Sequence, residues 1–403
     1  MSAHNAPNTI HSSVPQGSDI SSDHKDAVQR HLDATAARNL PFGCSLPAIK
    51  TNPLLDILGV STFHTDLTLQ SLLDLEIMSR NSFIEAQVKK LRIEHIQQDQ
   101  LGNLVDWQRD SAGTVLIDRA DGKMLFNIIG RFVNCTSFEI YRKPRETRDD
   151  LECLAASDAV TMMLNIIIAL ERQVDSFFVE LPETYTAFHP DWVSADLRGL
   201  SSAPLEKKGF GECWGSLQSL NLTINVFTES QRDFVTSLVQ KTQNLKHLTL
   251  KLAFSDPSFE TMLIVLTMTM RSTLESVHLK EAKLSSPNIL IKFLRYHRET
   301  LQSLTLEDVS IWHQGAWDKV FDVLSGEFPV LAHVSVRALM EFHPAKLGIV
   351  RFGSEIGKCG MFDVTELVKT DNEEDSIIGI AYTGPRMDIA IQKMRKVLII
   401  GLL

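Results

Sequence analysis

"LQSLNL" at residues 217–222 returns as "LQSLTL" at 301–306, 84 residues further on. Leucine fills the same three places in both, at offsets 0, 3 and 5. A distance of 84 is three times 28, so two more copies are expected between these two. They are there: Leu245/Leu248/Leu250 and Leu274/Val277/Leu279 carry the pattern, and Leu331/Val334/Val336 extends it. The successive spacings are 28, 29, 27 and 30. A repeat of about 20–29 residues built on L-x-x-L-x-L is the signature of leucine-rich repeats.

The physics of the pattern agrees. Offsets 3 and 5 alternate, as a strand with one buried face requires. A helix signal follows each strand. Thr228-Glu-Ser-Gln231 reads as a capping box ahead of Phe234, Leu238 and Val239. Asp256-Pro257 and Ser286-Pro287 each place an N-cap before a first-turn proline, the second ahead of Ile289, Leu290, Phe293 and Leu294. Trp317, Val320, Phe321 and Leu324 form the next stripe, with Gly326 as the expected stop. One strand-turn-helix unit cannot bury its own apolar face, so neighbours must stack. The expected fold is an α/β leucine-rich-repeat-like solenoid with parallel strands on its concave face. A doubly wound βαβ sheet is the alternative, and the constant period argues against it.

Weaker copies precede these. Val88/Leu91/Ile93, Cys135/Phe138/Ile140 and Val174/Phe177/Val179 fit the same offsets at spacings of 47, 39 and 43. Inserted loops such as "QQDQLGNLVDWQRDSAG" (97–113) and "YRKPRETRDD" (141–150) account for the excess. The expected organisation is a disordered segment over 1–40, a helical segment over 41–84, the solenoid over 85–345, and an irregular C-terminal cap over 346–403. That cap carries an acidic loop at Asp371–Asp375 and a terminal helix. Many leucine-rich repeats place Asn or Cys at offset 8 to satisfy the turn. Here that place holds Asn225, Ala253, Ala282, Val309 and Leu339, so most turns must be satisfied in another way.

Composition narrows the function. The chain has 403 residues, 44% apolar and 22% charged, with a net charge of −10. Such a balance speaks against nonspecific binding to nucleic acid or a membrane surface. The five cysteines, Cys44, Cys135, Cys153, Cys213 and Cys359, are scattered without metal spacing and read as free thiols. The first forty residues lack the apolar stretch of a signal peptide. The most apolar run, "VTMMLNIIIAL" (160–170), has 11 residues and contains Asn165, whereas a membrane span needs roughly 20. A cytoplasmic or nuclear protein without membrane contact is expected. No HExxH, Walker A or G-x-S-x-G motif occurs, so neither enzymatic activity, cofactor nor metal is expected. "GFGECWG" (209–215) precedes a strand and reads as a linker, and Cys213 within it as a buried or idle thiol.

The segment "FLRYHRETLQSLTLEDVSIWHQGAWDKVFDVL" (293–324) resembles a recurrent stretch of fungal F-box/leucine-rich-repeat proteins, through His297, Thr300, Leu301, Leu304, Leu306 and Trp317. Gly315-Ala316-Trp317 stands where that family has Gly-Ser-Trp. "MSRNSFIEAQVKKLRI" (78–93) looks like the strand that follows the F-box there, and "AYTGPRMDIAIQKM" (381–394) like its C-terminal region. The F-box itself is degenerate in "LPAIKTNPLLDILGVSTFHTDLTLQSLLDLEI" (46–77). It keeps Leu46-Pro47 and "LLDILGV" (54–60) and lacks the glutamate, and the closing Cys/Ser-Arg-x-Trp/Phe pattern is missing too unless Ser79-Arg80 is its remnant. The resemblance implies a substrate-receptor subunit of an SCF-type ubiquitin ligase that binds the adaptor through 41–84. The alternative is a repeat scaffold with no ligase attachment.

In either case the binding surface should be the outward positions of the strands, offsets 2, 4 and 6. Offset 6 holds Glu94, Thr223, Lys251, Lys280, Glu307 and Arg337; offset 4 holds Arg92, Asn221, Thr249, His278, Thr305 and Ser335; offset 2 adds Lys90, His247 and His333. Cations outnumber carboxylates in this set. Arg92, Lys251, His278, Lys280, Glu307 and Arg337 are therefore the candidate site, and an acidic or phosphorylated protein is the expected partner.

Overall fold

Nine strands lie side by side in the order in which the chain makes them. They are β1 (Thr62–Thr65), β2 (Lys90–Ile93), β3 (Ser137–Tyr141), β4 (Ser176–Glu180), β5 (Ser219–Ile224), β6 (His247–Leu252), β7 (Ser276–Lys280), β9 (Ser303–Glu307) and β11 (His333–Arg337). Two short strands, β8 (Lys283–Leu284) and β10 (Ser310–Ile311), follow β7 and β9 and pair with each other. The computed structural model describes residues 61–94, 101–111, 113–141, 154–180, 200–224, 228–252, 256–343, 346–369 and 375–402. All of them belong to one compact unit, Leu58–Leu403. The expected disorder of 1–40, the first part of the F-box candidate (46–60), the acidic stretch 370–374, and Asn225 and Ala253 lie outside the described residues.

The register follows from the repeat. Phe63, Leu91, Phe138, Phe177, Leu220, Leu248, Val277, Leu304 and Val334 stand opposite one another across the sheet, and so do the residues two places on. Every described apolar residue at offsets 0, 3 and 5 of the eight expected copies is buried. A slip of one residue would turn each of them to the other face. The backbone repeats as well. At each junction the carbonyl before a strand accepts two N–H groups from the next one: Gln218 from Lys246 and His247, Lys246 from Glu275 and Ser276, Glu275 from Gln302 and Ser303, Gln302 from Ala332 and His333. The same pair of bonds joins Ser61, Lys89, Thr136 and Asp175 to their successors, so the irregularly spaced copies are full members of the series. No strand order reverses among these nine, in contrast to a doubly wound sheet.

The helices return the chain across the buried face. They span Leu69–Ser79, Ser82–Gln87, Ala120–Arg131, Ala156–Ala169, Phe210–Trp214, Glu229–Gln240, Asp256–Met268, Pro287–Tyr296, Ala316–Glu327, Glu355–Lys358 and Met387–Lys396. The capping box at Thr228 is formed: its hydroxyl accepts from Gln231 N–H, and the Gln231 side chain accepts from Thr228 N–H. Ser286 caps the helix that starts at Pro287. Gly326 does not stop its helix, which runs one residue further to Glu327 and ends at Phe328.

Further expectations need correction. The segment expected to be helical up to residue 84 begins, where described, with β1. This strand belongs to the sheet and is followed by the helix Leu69–Ser79, capped by Thr68. The extra repeat escapes the leucine pattern because Thr65 occupies offset 5. "GFGECWG" is no linker: Phe210 and Trp214 are fully buried and stack at 4.9 Å, and Trp214 meets Phe177 edge-on at 5.0 Å. Together with Leu200 and Leu205, this insertion helps bury the helix Ala156–Ala169, which is covered on nearly all sides. Two polar residues of that helix are met from the insertions: Lys207 donates to Asn165 at 2.7 Å, and Arg109 grips Asp158 with two bonds of 2.8 and 2.6 Å. The stretch 97–113, read as a loop, is therefore packed at its described end.

The C-terminal region is regular. β12 (Met340–His343), β13 (Lys346–Phe352), β14 (Asp363–Lys369), β15 (Asp375–Thr383) and β16 (Leu398–Leu402) all join the same sheet, which holds sixteen strands among the described residues. β15 runs antiparallel to β11 and ends the parallel series. The last described element is a strand rather than the expected helix. Met387–Lys396 precedes it and ties back to the helix Ala316–Glu327 through Arg395, which pairs with Asp318 and Asp322.

The turns without Asn have a common solution. Glu281, Asp308 and Ala338, each at offset 7, take left-handed backbone angles (φ 51°, 53° and 48°). Their N–H groups donate to the carbonyls of Glu307, Arg337 and Ile378, each in the neighbouring strand. The chain then enters a second parallel ladder, β8–β10–β12, beneath buried Ala282, Val309 and Leu339. Backbone pairing between repeats replaces the amide side chain.

His297 closes the helix Pro287–Tyr296 and is buried, with its Nε2 unbonded. Burial pushes its pKa down to about 4. The unfolded chain therefore binds a proton that the folded chain refuses between pH 6.5 and 4, so stability falls as pH drops through that window. The expected loss is on the order of 2–3 kcal/mol. His297→Gln should flatten that part of the stability–pH curve, measured by urea unfolding at pH 7, 5.5 and 4.5. An unchanged slope would show that His297 is not the group responsible.

Candidate functional site

Offsets 2, 4 and 6 leave one face of the parallel strands open. In β4, β5, β7, β9 and β11 the residues at these offsets are partly exposed while those between them are buried. The six candidate residues all lie on this face, but they do not form one group. His278, Lys280, Glu307 and Arg337 come together on β7, β9 and β11. Lys251 on β6 joins them through Glu281. Arg92 stands on β2, five strands from β7 and so about 24 Å away.

The cations are not free. Glu307 faces His278 at 3.6 Å, Lys280 at 3.8 Å and Arg337 at 3.1 Å. Arg337 also reaches Asp308 at 3.2 Å and Glu366 of β14 at 3.4 Å. Lys251 pairs with Glu281 at 2.9 Å. Three cations thus meet four carboxylates. Burial holds the His278 imidazole below its ordinary pKa despite Glu307. Burial also raises the Asp308 carboxyl, with Glu281, Glu307 and Glu366 adding to the effect against Arg337. The stripe of positive charge expected from the sequence is a compensated network, so the electrostatic argument for an acidic or phosphorylated partner falls away.

A second cluster sits at the N-terminal end of the face. Glu139, itself nearly buried, accepts from Lys90 Nζ at 2.6 Å and pairs with Arg92 at 2.6 Å. The guanidinium of Arg92 lies 4.6 Å from the centre of the Tyr141 ring, and Tyr141 stacks on Phe178 at 4.4 Å. Beside them, His64 bonds Glu94 at 2.6 Å. Glu139, Tyr141, Phe178 and Glu180 are offsets 4 and 6 of the irregular copies, so extending the outward positions to those copies would have found them. Glu281 and Asp308 sit one place further along, in the turns. Glu366 arrives from a strand that no repeat predicts.

Among the described residues no three His, Cys, Asp or Glu side chains converge to hold a metal ion, and no helix is long and apolar enough to cross a membrane. Cys135 and Cys213 are buried free thiols; burial raises the pKa of both, that of Cys135 to about 12. No protein-family model matches the sequence, and comparison with curated proteins returns no match.

Proposed function

We propose that this chain is a leucine-rich-repeat-like solenoid whose open sheet face binds a protein partner. One observation carries the reading: nine parallel strands in sequential order turn their inward residues to the core, all of the described ones buried from the second strand on, and present a row of polar and aromatic side chains on the other side. Repeat arrays use such extended surfaces for recognition. The family resemblance adds that the partner is a substrate brought to an SCF-type ubiquitin ligase. An adaptor-binding unit would then have to come from the chain before Thr62, because Thr62–Thr65 and Leu69–Ser79 are committed to the sheet and its helices. A scaffold without ligase attachment needs only the sheet face.

The test is to block the face. A variant with Asn221→Arg, Thr249→Arg and Thr305→Arg adds bulk to three central strands without touching the core. Proteins co-purifying with the full chain should be lost from this variant and kept by Gln240→Arg, which lies on an exposed helical position. An identical set of captured proteins for parent and blocked variant would rule the face out. Recovery of the ligase adaptor with the parent separates the receptor reading from the scaffold.

A further inference from the structure

We propose that Tyr141, Phe178 and Glu180 receive an arginine side chain from an extended segment of the protein partner. This rests on the protein-binding reading of the open face and names the chemistry at one place on it.

The charges point there first. Lys90, Arg92, Glu94, Glu139, Lys251, Lys280, Glu307 and Arg337 all have partners on the face. The Glu180 side chain, on a strand whose backbone pairs with Tyr141 and Thr223, makes no hydrogen bond or ion pair with a described side chain. Among the described residues, a cation arriving at another carboxylate of the face would have to displace an internal pair, whereas at Glu180 it meets none, and charge-assisted pairs are the stronger hydrogen bonds. The surroundings favour a cation too: Lys90 and Arg92 stand against Glu94, Glu139 and Glu180.

The rings point to arginine. Arg92, Tyr141 and Phe178 form a column on three successive strands, a guanidinium on a ring on a ring. The next strand places Asn221 opposite Phe178 and Thr223 opposite Glu180, both small and uncharged. Phe178 has no second ring partner among the described residues. A planar guanidinium laid on Phe178 would continue the column on its β5 side and reach the Glu180 carboxylate two residues along the same strand. A planar fork suits this double contact better than the point charge of lysine.

The probe is a phage-displayed library of random dodecapeptides panned on the full chain, with affinities of the enriched peptides then read by fluorescence anisotropy. Arginine should be enriched in the selected peptides. Glu180→Gln and Phe178→Leu should each weaken their binding about five-fold or more, and replacing the peptide arginine by lysine should also weaken it. The blocked variant carrying Asn221→Arg, Thr249→Arg and Thr305→Arg should not bind them. Peptides that lose binding to the blocked variant yet hold it within two-fold on Glu180→Gln and Phe178→Leu would leave the face standing and remove the arginine site. Peptides without arginine would do the same. A library that yields no peptide dependent on the face would overturn both readings.

Discussion

Leu304→Asp should yield a chain without a cooperative unfolding transition. Leu304 lies in the middle of the row Val277–Leu304–Val334, fully buried, with strands on both sides. An aspartate there loses the transfer energy of a leucine, about 2–3 kcal/mol, and sets an unpaired charge in the core at several kcal/mol more. Together these approach the whole stability of an ordinary domain, about 5–15 kcal/mol. The outcome is read by thermal melting and solubility of the full chain. A soluble Leu304→Asp protein with the parent's melting temperature would sink the register of the entire sheet, because every repeat is aligned through the same row.

Trp317→Ala should cost about 3–5 kcal/mol in urea unfolding, the range for deleting a large buried aromatic. The side chain is fully buried, and its indole N–H donates to the Met340 carbonyl at 2.8 Å. Gly315 just before it adopts φ 66°, and the N–H groups of Gly315 and Ala316 donate to the buried Glu341 carboxylate at 3.1 and 3.2 Å. The Gly-Ala-Trp motif therefore docks a helix N-terminus onto β12 of the next unit, where a carboxylate also favours the helix dipole. Trp317→Phe keeps the ring and removes the donor, so it should cost less, about 1–3 kcal/mol. A loss below about 1 kcal/mol for Trp317→Ala would show that the docking is not a structural joint.

Some of this architecture was legible before any fold was known. The L-x-x-L-x-L offsets set the strands, their inward faces and their register, since alternation in a strand admits one buried face. The caps at Thr228 and Ser286 were legible for the same local reason: a hydroxyl side chain satisfies N–H groups within its own turn. The strand at Thr62–Thr65 was harder, because Thr65 breaks the apolar pattern.

The site divides along the same line. That Lys280, Glu307 and Arg337 share a face follows from their offsets alone. That they neutralise one another does not, because the compensating groups come from elsewhere: Glu281 and Asp308 from left-handed turns, and Glu366 from β14 after an unrelated stretch of chain. Sequence position along a repeat states which way a side chain points. Only the stacking of strands about 4.8 Å apart decides which neighbour it meets. The sequence by itself determined the repeat, its inward faces and the order of its units, because those depend on interactions within one unit and its period. The closing of the parallel run by β15, the packing of residues 101–111 and 200–215 against the buried helix Ala156–Ala169, and the pairing of charges on the open face were decided by tertiary structure, because each joins residues whose separation in the chain carries no periodic signal.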